Sequence, residues 1–166
     1  MTEGLRKFIE KNIDLISEGQ FSEIYDKIAS FRFRRMFTEA MLEADINPLN
    51  YMTIVPRRYL YQSELKHIII PDGVTKVGNY AFAGSKLEEV TLPEGVTYIG
   101  EGAFMNCTAL ETLHLPSTLK QIDTAAFSWC RSLEEVTFAG TTKQWINVDD
   151  LDGSLLRFEP VKCSDN

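Results

Sequence analysis

The sequence predicts an α/β (α+β) solenoid, in which a three-helix N-terminal cap precedes four right-handed coils with a short parallel sheet. Three observations lead there. Four consecutive segments, residues 52–73, 74–95, 96–118 and 119–141, align with one another. Their aligned core columns hold only apolar side chains, and the residues before them carry the helical period instead. A repeat this short cannot bury its own oily face, so neighbouring coils must stack and merge their columns into one core.

The first element is the cap, residues 1–51. Leu5, Phe8, Ile9, Ile13 and Ile16 fall at i, i+3, i+4 spacing, and Gly19 is a natural stop. Ser22 is placed to cap a second helix carrying Ile24, Tyr25 and Ile28. Phe33, Met36, Phe37, Ala40, Met41 and Ala44 stripe a third, which Asn47-Pro48 ends. An open solenoid exposes an apolar face at each end, and this bundle is expected to cover the first coil.

The coils follow. Val55, Val77, Ile99 and Ile122 form one column, and Leu60, Phe82, Phe104 and Phe127 another. The triplets Leu65/Ile68/Ile70, Leu87/Val90/Leu92, Leu110/Leu113/Leu115 and Leu133/Val136/Phe138 recur at one spacing, the last three alternating at their ends with Thr91, His114 and Thr137, so each repeat is expected to give one short strand. Small Ala81, Ala103 or Ala126 precedes each Phe on the opposite wall, where coils approach closely; the first repeat departs with Pro56 for Gly78 and Tyr59 for Ala81. Residues 142–166, with Trp145, Val148, Leu155, Leu156 and Phe158, are expected to lie as a second cap over Phe138 and Phe127.

These columns resemble the BspA-type leucine-rich-repeat family: an L-x-x-I-x-I-P strand, a turn, V-x-x-I-G and a-x-A-F-x-x-C recur across residues 52–141. The tail F-A-G-T-T-K-x-W with a later V-x-C-S-D is similar to the segment that closes such arrays. The resemblance implies a curved scaffold for protein–protein contact. Larger members are adhesin-like surface proteins, and short helix-capped arrays are similar to proteins of bacterial and bacteriophage genomes.

Composition narrows the function classes. With 17 Lys+Arg against 24 Asp+Glu, the net charge of -7 repels phosphate backbones, which disfavours nucleic acid as a partner. Charged residues run through the first 20 positions, leaving no signal-peptide core, and no stretch approaches the roughly 20 apolar residues of a membrane span. The expected compartment is the cytoplasm, with no membrane contact. Cys107, Cys130 and Cys163 are odd in number and lack metal-ligand spacing, which fits reduced thiols; Cys107 and Cys130 share a column with Ser63 and Ser85, read as a solenoid corner.

No chemistry-bearing constellation emerges. His67 and His114 sit in polar strand positions two coils apart, roughly 10 Å, too far to share a metal. Asp150, Asp152, Gly153 and Glu159 imitate part of a calcium loop, but its first ligand position holds Val148. The phosphate-loop, dinucleotide, zinc-protease and serine-hydrolase signatures do not occur. No enzymatic activity, cofactor or metal is expected.

The expected function is a non-enzymatic scaffold that binds another protein. Side chains alternate across a strand, so His67/Ile69, Glu89/Thr91, Thr112/His114 and Glu135/Thr137 are expected to line the concave face. Trp129, in a loop column held elsewhere by Gln62, Gly84 and Asn106, is a second anchor. Four strands span only about 15–20 Å, small for a standard interface, so the helical cap is expected to contribute or the chain to self-associate. The alternative is a polyanion, nucleotide or nucleic-acid binder. It would use Arg32, Arg34 and Arg35, interleaved with Phe31 and Phe33 and extended by Arg57 and Arg58. An acidic inhibitor protein, phage-encoded for example, is a third reading.

Overall fold

One-coil register between short strands builds two parallel sheets on facing walls of the chain, where the sequence had pointed to one. The computed structural model describes residues 31–43, 45–153, 155 and 161–165. The first sheet holds β1 (Ile54–Val55), β2 (Lys76–Val77), β4 (Tyr98–Ile99), β6 (Gln121–Ile122) and β8 (Asp149–Asp150), in the order β1-β2-β4-β6-β8. The second holds β3 (Glu89–Thr91), β5 (Thr112–Leu115), β7 (Glu135–Phe138) and β9 (Lys162–Cys163), in the order β3-β5-β7-β9. Every pairing is parallel and in register, for example Val77↔Ile99↔Ile122 and Val90↔Leu113↔Val136.

Two expectations are corrected. The solenoid has about five turns rather than four, because β8 continues from β6 and β9 from β7. Asp149–Asp150 and Lys162–Cys163 therefore extend the two sheets where a cap was expected, and a short helix, α2 (Thr142–Trp145), leads into the last turn. Its start is fixed by a capping box: Thr141 Oγ1 accepts from Gln144 N at 3.3 Å, and Thr141 N donates to Gln144 Oε1 at 2.8 Å. The three-helix cap is not supported either. Of its helices, the structure describes α1 (Phe31–Glu43), and the two expected before it lie outside the described residues.

The core is the merged interior of the coils. Phe82, Phe104 and Phe127 are all but fully buried and stack in one ladder, with ring centroids 5.1 and 5.2 Å apart and planes within 16° and 4° of parallel. Such offset pairs add about 0.5–1.5 kcal/mol each beyond burial. At the front of the ladder the first coil uses a different solution. Leu60 keeps the column and is fully buried, while Tyr59 turns its ring edge-on to Phe82 at 6.2 Å and is equally buried. At the back, Phe138 packs against Trp145 at 5.3 Å.

Backbone contacts between coils explain the small residues. Leu60 N, Phe82 N and Phe104 N donate to the carbonyls of Ala81, Ala103 and Ala126 at 2.7, 2.8 and 2.8 Å. A Cβ on Gly78 would stand 2.6 Å from the Val55 carbonyl oxygen, so that position accepts nothing larger where the first two coils cross.

Candidate interaction surface

In β3, β5 and β7 each inward apolar residue is flanked by outward polar ones, and register fixes how those meet. Glu89, Thr112 and Glu135 form one row, and Thr91, His114 and Thr137 a second, which Lys162 of β9 extends. The structure thus brings six of the predicted lining residues together. Within the rows, His114 Nδ1 lies 2.6 Å from Thr137 Oγ1, and His114 Nε2 lies 3.6 Å from Glu89 Oε1. Lys162 donates to Glu135 Oε1 at 2.8 Å, and that bond and the adjacent positive charge hold Glu135 below the usual carboxylate range. The face keeps its negative character, relieved at one end by Lys162.

His67 and Ile69 are placed differently. Residues 63–71 carry no strand, so the first coil does not join β3 in a ladder. Its polar contacts go elsewhere. Asn47, which accepts from Leu49 N to start the 3-10 turn Pro48–Tyr51, also donates from Nδ2 to the Ile69 carbonyl at 2.6 Å. Lys66 donates to Glu88 at 2.7 Å and His67 lies 3.9 Å from the same carboxylate. The Lys66 contact lowers the pKa of Glu88 and raises that of Lys66. Ile69 is left 79% exposed, the most exposed large apolar side chain among the described residues.

Trp129 lies outside the two rows, in the turn column of Gln62, Gly84 and Asn106, all four with positive φ. It is 62% exposed, and Trp145 packs on Phe138 rather than on it. Arg131 sits over its ring at 5.2 Å.

The basic cluster divides. Arg35 donates to the carbonyls of Tyr61 and Gln62 at 3.3 and 2.9 Å and pairs with Glu39 at 3.8 Å, which docks α1 on the first coil. Glu39 in turn accepts from the buried Ser63 hydroxyl at 2.6 Å. Arg58 lies 5.6 Å from the Tyr61 ring centroid, Arg57 is exposed, and Arg34 is part-buried on α1. The side chain of Arg32 is outside the description.

Cys107, Cys130, Asp150 and Asp152 serve the scaffold. Cys107 and Cys130 donate to the carbonyls of Phe82 and Phe104 at 3.1 and 3.0 Å in a fully buried column. The Cys130 thiol and Ser85 hydroxyl bring the Cys107 pKa below the ordinary thiol value against the opposing effect of burial. Asp150 accepts from Leu155 N and Asp152 from Ala125 N, so the imitation calcium loop acts as a turn. Among the described residues no group of three or more His, Cys, Asp or Glu could hold a metal, and no helix is long and apolar enough to cross a membrane.

The repeat geometry has a counterpart in one protein family. The profile of the BspA type leucine rich repeat region matches residues 53–147, in six copies. No curated protein matches the chain. A crystal structure of a leucine rich cell surface protein from Faecalibacterium prausnitzii A2-165 is similar at 23% identity and a TM-score of 0.39, over 54% of this chain. The chain spans 36% of that protein's length.

Proposed function

Because the chain belongs to the BspA-type leucine-rich-repeat family, whose profile takes in more than half of its residues, we propose that it is a non-enzymatic scaffold binding another protein through the outward face of the β3-β5-β7 sheet. Leucine-rich-repeat domains typically mediate protein interactions. The observation that carries the choice of face is the pair of in-register rows, Glu89-Thr112-Glu135 and Thr91-His114-Thr137. A periodic surface of hydroxyls, carboxylates and one imidazole offers hydrogen bonds and negative charge at fixed spacing. Such a surface favours a polar or cationic partner face and discriminates against acidic ones. Trp129, exposed and at a left-handed backbone position where its column elsewhere has Gly or a polar residue, is a second anchor away from these rows. The test is affinity capture from the native host, comparing wild type with Thr112→Arg and with Gln121→Arg on the opposite sheet. Loss with the first alone supports the reading, and loss with the second alone overturns it.

The basic-cluster reading has less in its favour. Two donor contacts of Arg35 go to the chain's own carbonyls, which leaves fewer for a phosphate.

A further inference from the structure

We propose that the cleft between the first coil and β3 receives a lysine or arginine side chain from an extended segment of the partner. The proposal deepens the interaction reading above and rests on it. The first coil is joined to the second along β1-β2, and again where Glu88 N donates to the Lys66 carbonyl at 3.0 Å. Beyond that point residues 67–70 form no ladder with β3, which is the edge strand of its sheet. A cleft of about 390 Å³ opens there, walled by Ile69, Ile70 and Pro93 with Asp72, Glu89 and Thr91 at its polar side. On the other flank of Ile69 lies a second hollow of about 410 Å³, bounded by Leu42 and Ile68 and carrying Glu43 and Asp45.

The chemistry of this junction selects its occupant. Apolar walls suit a hydrocarbon stem, and carboxylates at the end of the stem suit a cation, the combination found in long basic side chains. Four carboxylates, from Glu43, Asp45, Asp72 and Glu89, lie on the two flanks of Ile69. The basic group closest in sequence, Lys66, is already engaged with Glu88. His67 is the one further titratable nitrogen lining both hollows. An acidic segment would be repelled, and an uncharged one would bring no cation to Glu43, Asp45 and Asp72 and would leave Glu89 with His114 alone. The edge strand sets the partner's backbone form, because an unpaired strand edge pairs most readily with another extended chain.

The experiment uses the full chain and a fluorescein-labelled peptide alternating arginine and threonine, with a glutamate–threonine peptide as counterpart, read by anisotropy and by backbone amide shifts. The arginine peptide binds, the glutamate peptide does not, and shifts concentrate at Ile69, Asp72 and Thr91. Asp72→Asn with Glu89→Gln weakens binding at least tenfold, whereas Glu111→Gln with Glu134→Gln, an equal change in net charge outside the cleft, changes it less than twofold. Thr91→Arg, which places a guanidinium in the cleft from the chain itself, also abolishes binding. Equal losses from the two charge-matched pairs, shifts elsewhere, or no binding overturn the proposal. If Thr112→Arg still abolishes capture of the native partner while the cleft variants leave it intact, the cleft assignment alone falls.

Discussion

Phe104 sits at the middle of the aromatic ladder, so replacing it measures how far the coils depend on one another. Its side chain is fully buried, with Phe82 stacked on one face at 5.1 Å and Phe127 on the other at 5.2 Å. Truncating a buried phenylalanine to alanine costs about 3–5 kcal/mol. Phe104→Leu keeps apolar filling, as Leu60 does in the first coil, but removes both ring pairs, about 1–3 kcal/mol. Phe127→Leu removes the pair with Phe104 and is expected to cost about half as much. Urea unfolding followed by far-ultraviolet circular dichroism gives these differences from midpoint and slope. Phe104→Ala within about 1 kcal/mol of wild type, or Phe104→Leu no worse than Phe127→Leu, would refute a core built from coupled coils.

Gly78→Ala forces a methyl group within 2.6 Å of the Val55 carbonyl and is expected to destabilise by about 1–3 kcal/mol in the same assay; a neutral result would mean the first two coils do not approach as described. Tyr98 donates to Asp123 at 2.7 Å, which with burial pushes its pKa up to about 12. A phenol raised in the folded state contributes stability fully below about pH 10 and loses it between there and about pH 12, so the wild-type urea midpoint should fall across that window and Tyr98→Phe should fall less. Asp123 is shifted the other way, chiefly by the same bond, so its contribution is present above the ordinary aspartate pKa and disappears as acid protonates it. Cys107, Cys130 and Cys163 are all buried, and native protein should react with Ellman's reagent only as fast as it opens; prompt labelling of Cys107 would contradict its place in the interior.

The repeat was legible because inward columns tolerate only apolar residues, and Val77, Ile99 and Ile122 reveal the period by themselves. The fifth turn was hidden for the same reason: Asp150 pairs with Ile122, so the column turns acidic just where the ladder continues. Spacing adds to the disguise, since Gln121 meets Asp149 across an insertion that holds α2. The first sheet escaped notice because strands such as Lys76–Val77 are too short to show alternation, whereas β5 and β7 display it over four residues. Of the candidate site, the rows on β3, β5 and β7 could be read from that alternation. The irregular first coil could not. Ile68-Ile69-Ile70 has the composition of a strand but forms none, and its Ile69 carbonyl accepts from Asn47, distant in sequence. Arg35 likewise stood among the anion-binding candidates because its acceptors are backbone carbonyls of another segment, which spacing does not reveal.

The most direct test places a photo-crosslinking amino acid at Thr112, the centre of the outward row, and at Gln121 on the opposite sheet, in protein expressed in its native host. Irradiation should join a partner chain to the Thr112 protein and not to the Gln121 protein. Crosslinking from Gln121 with none from Thr112 would contradict the account.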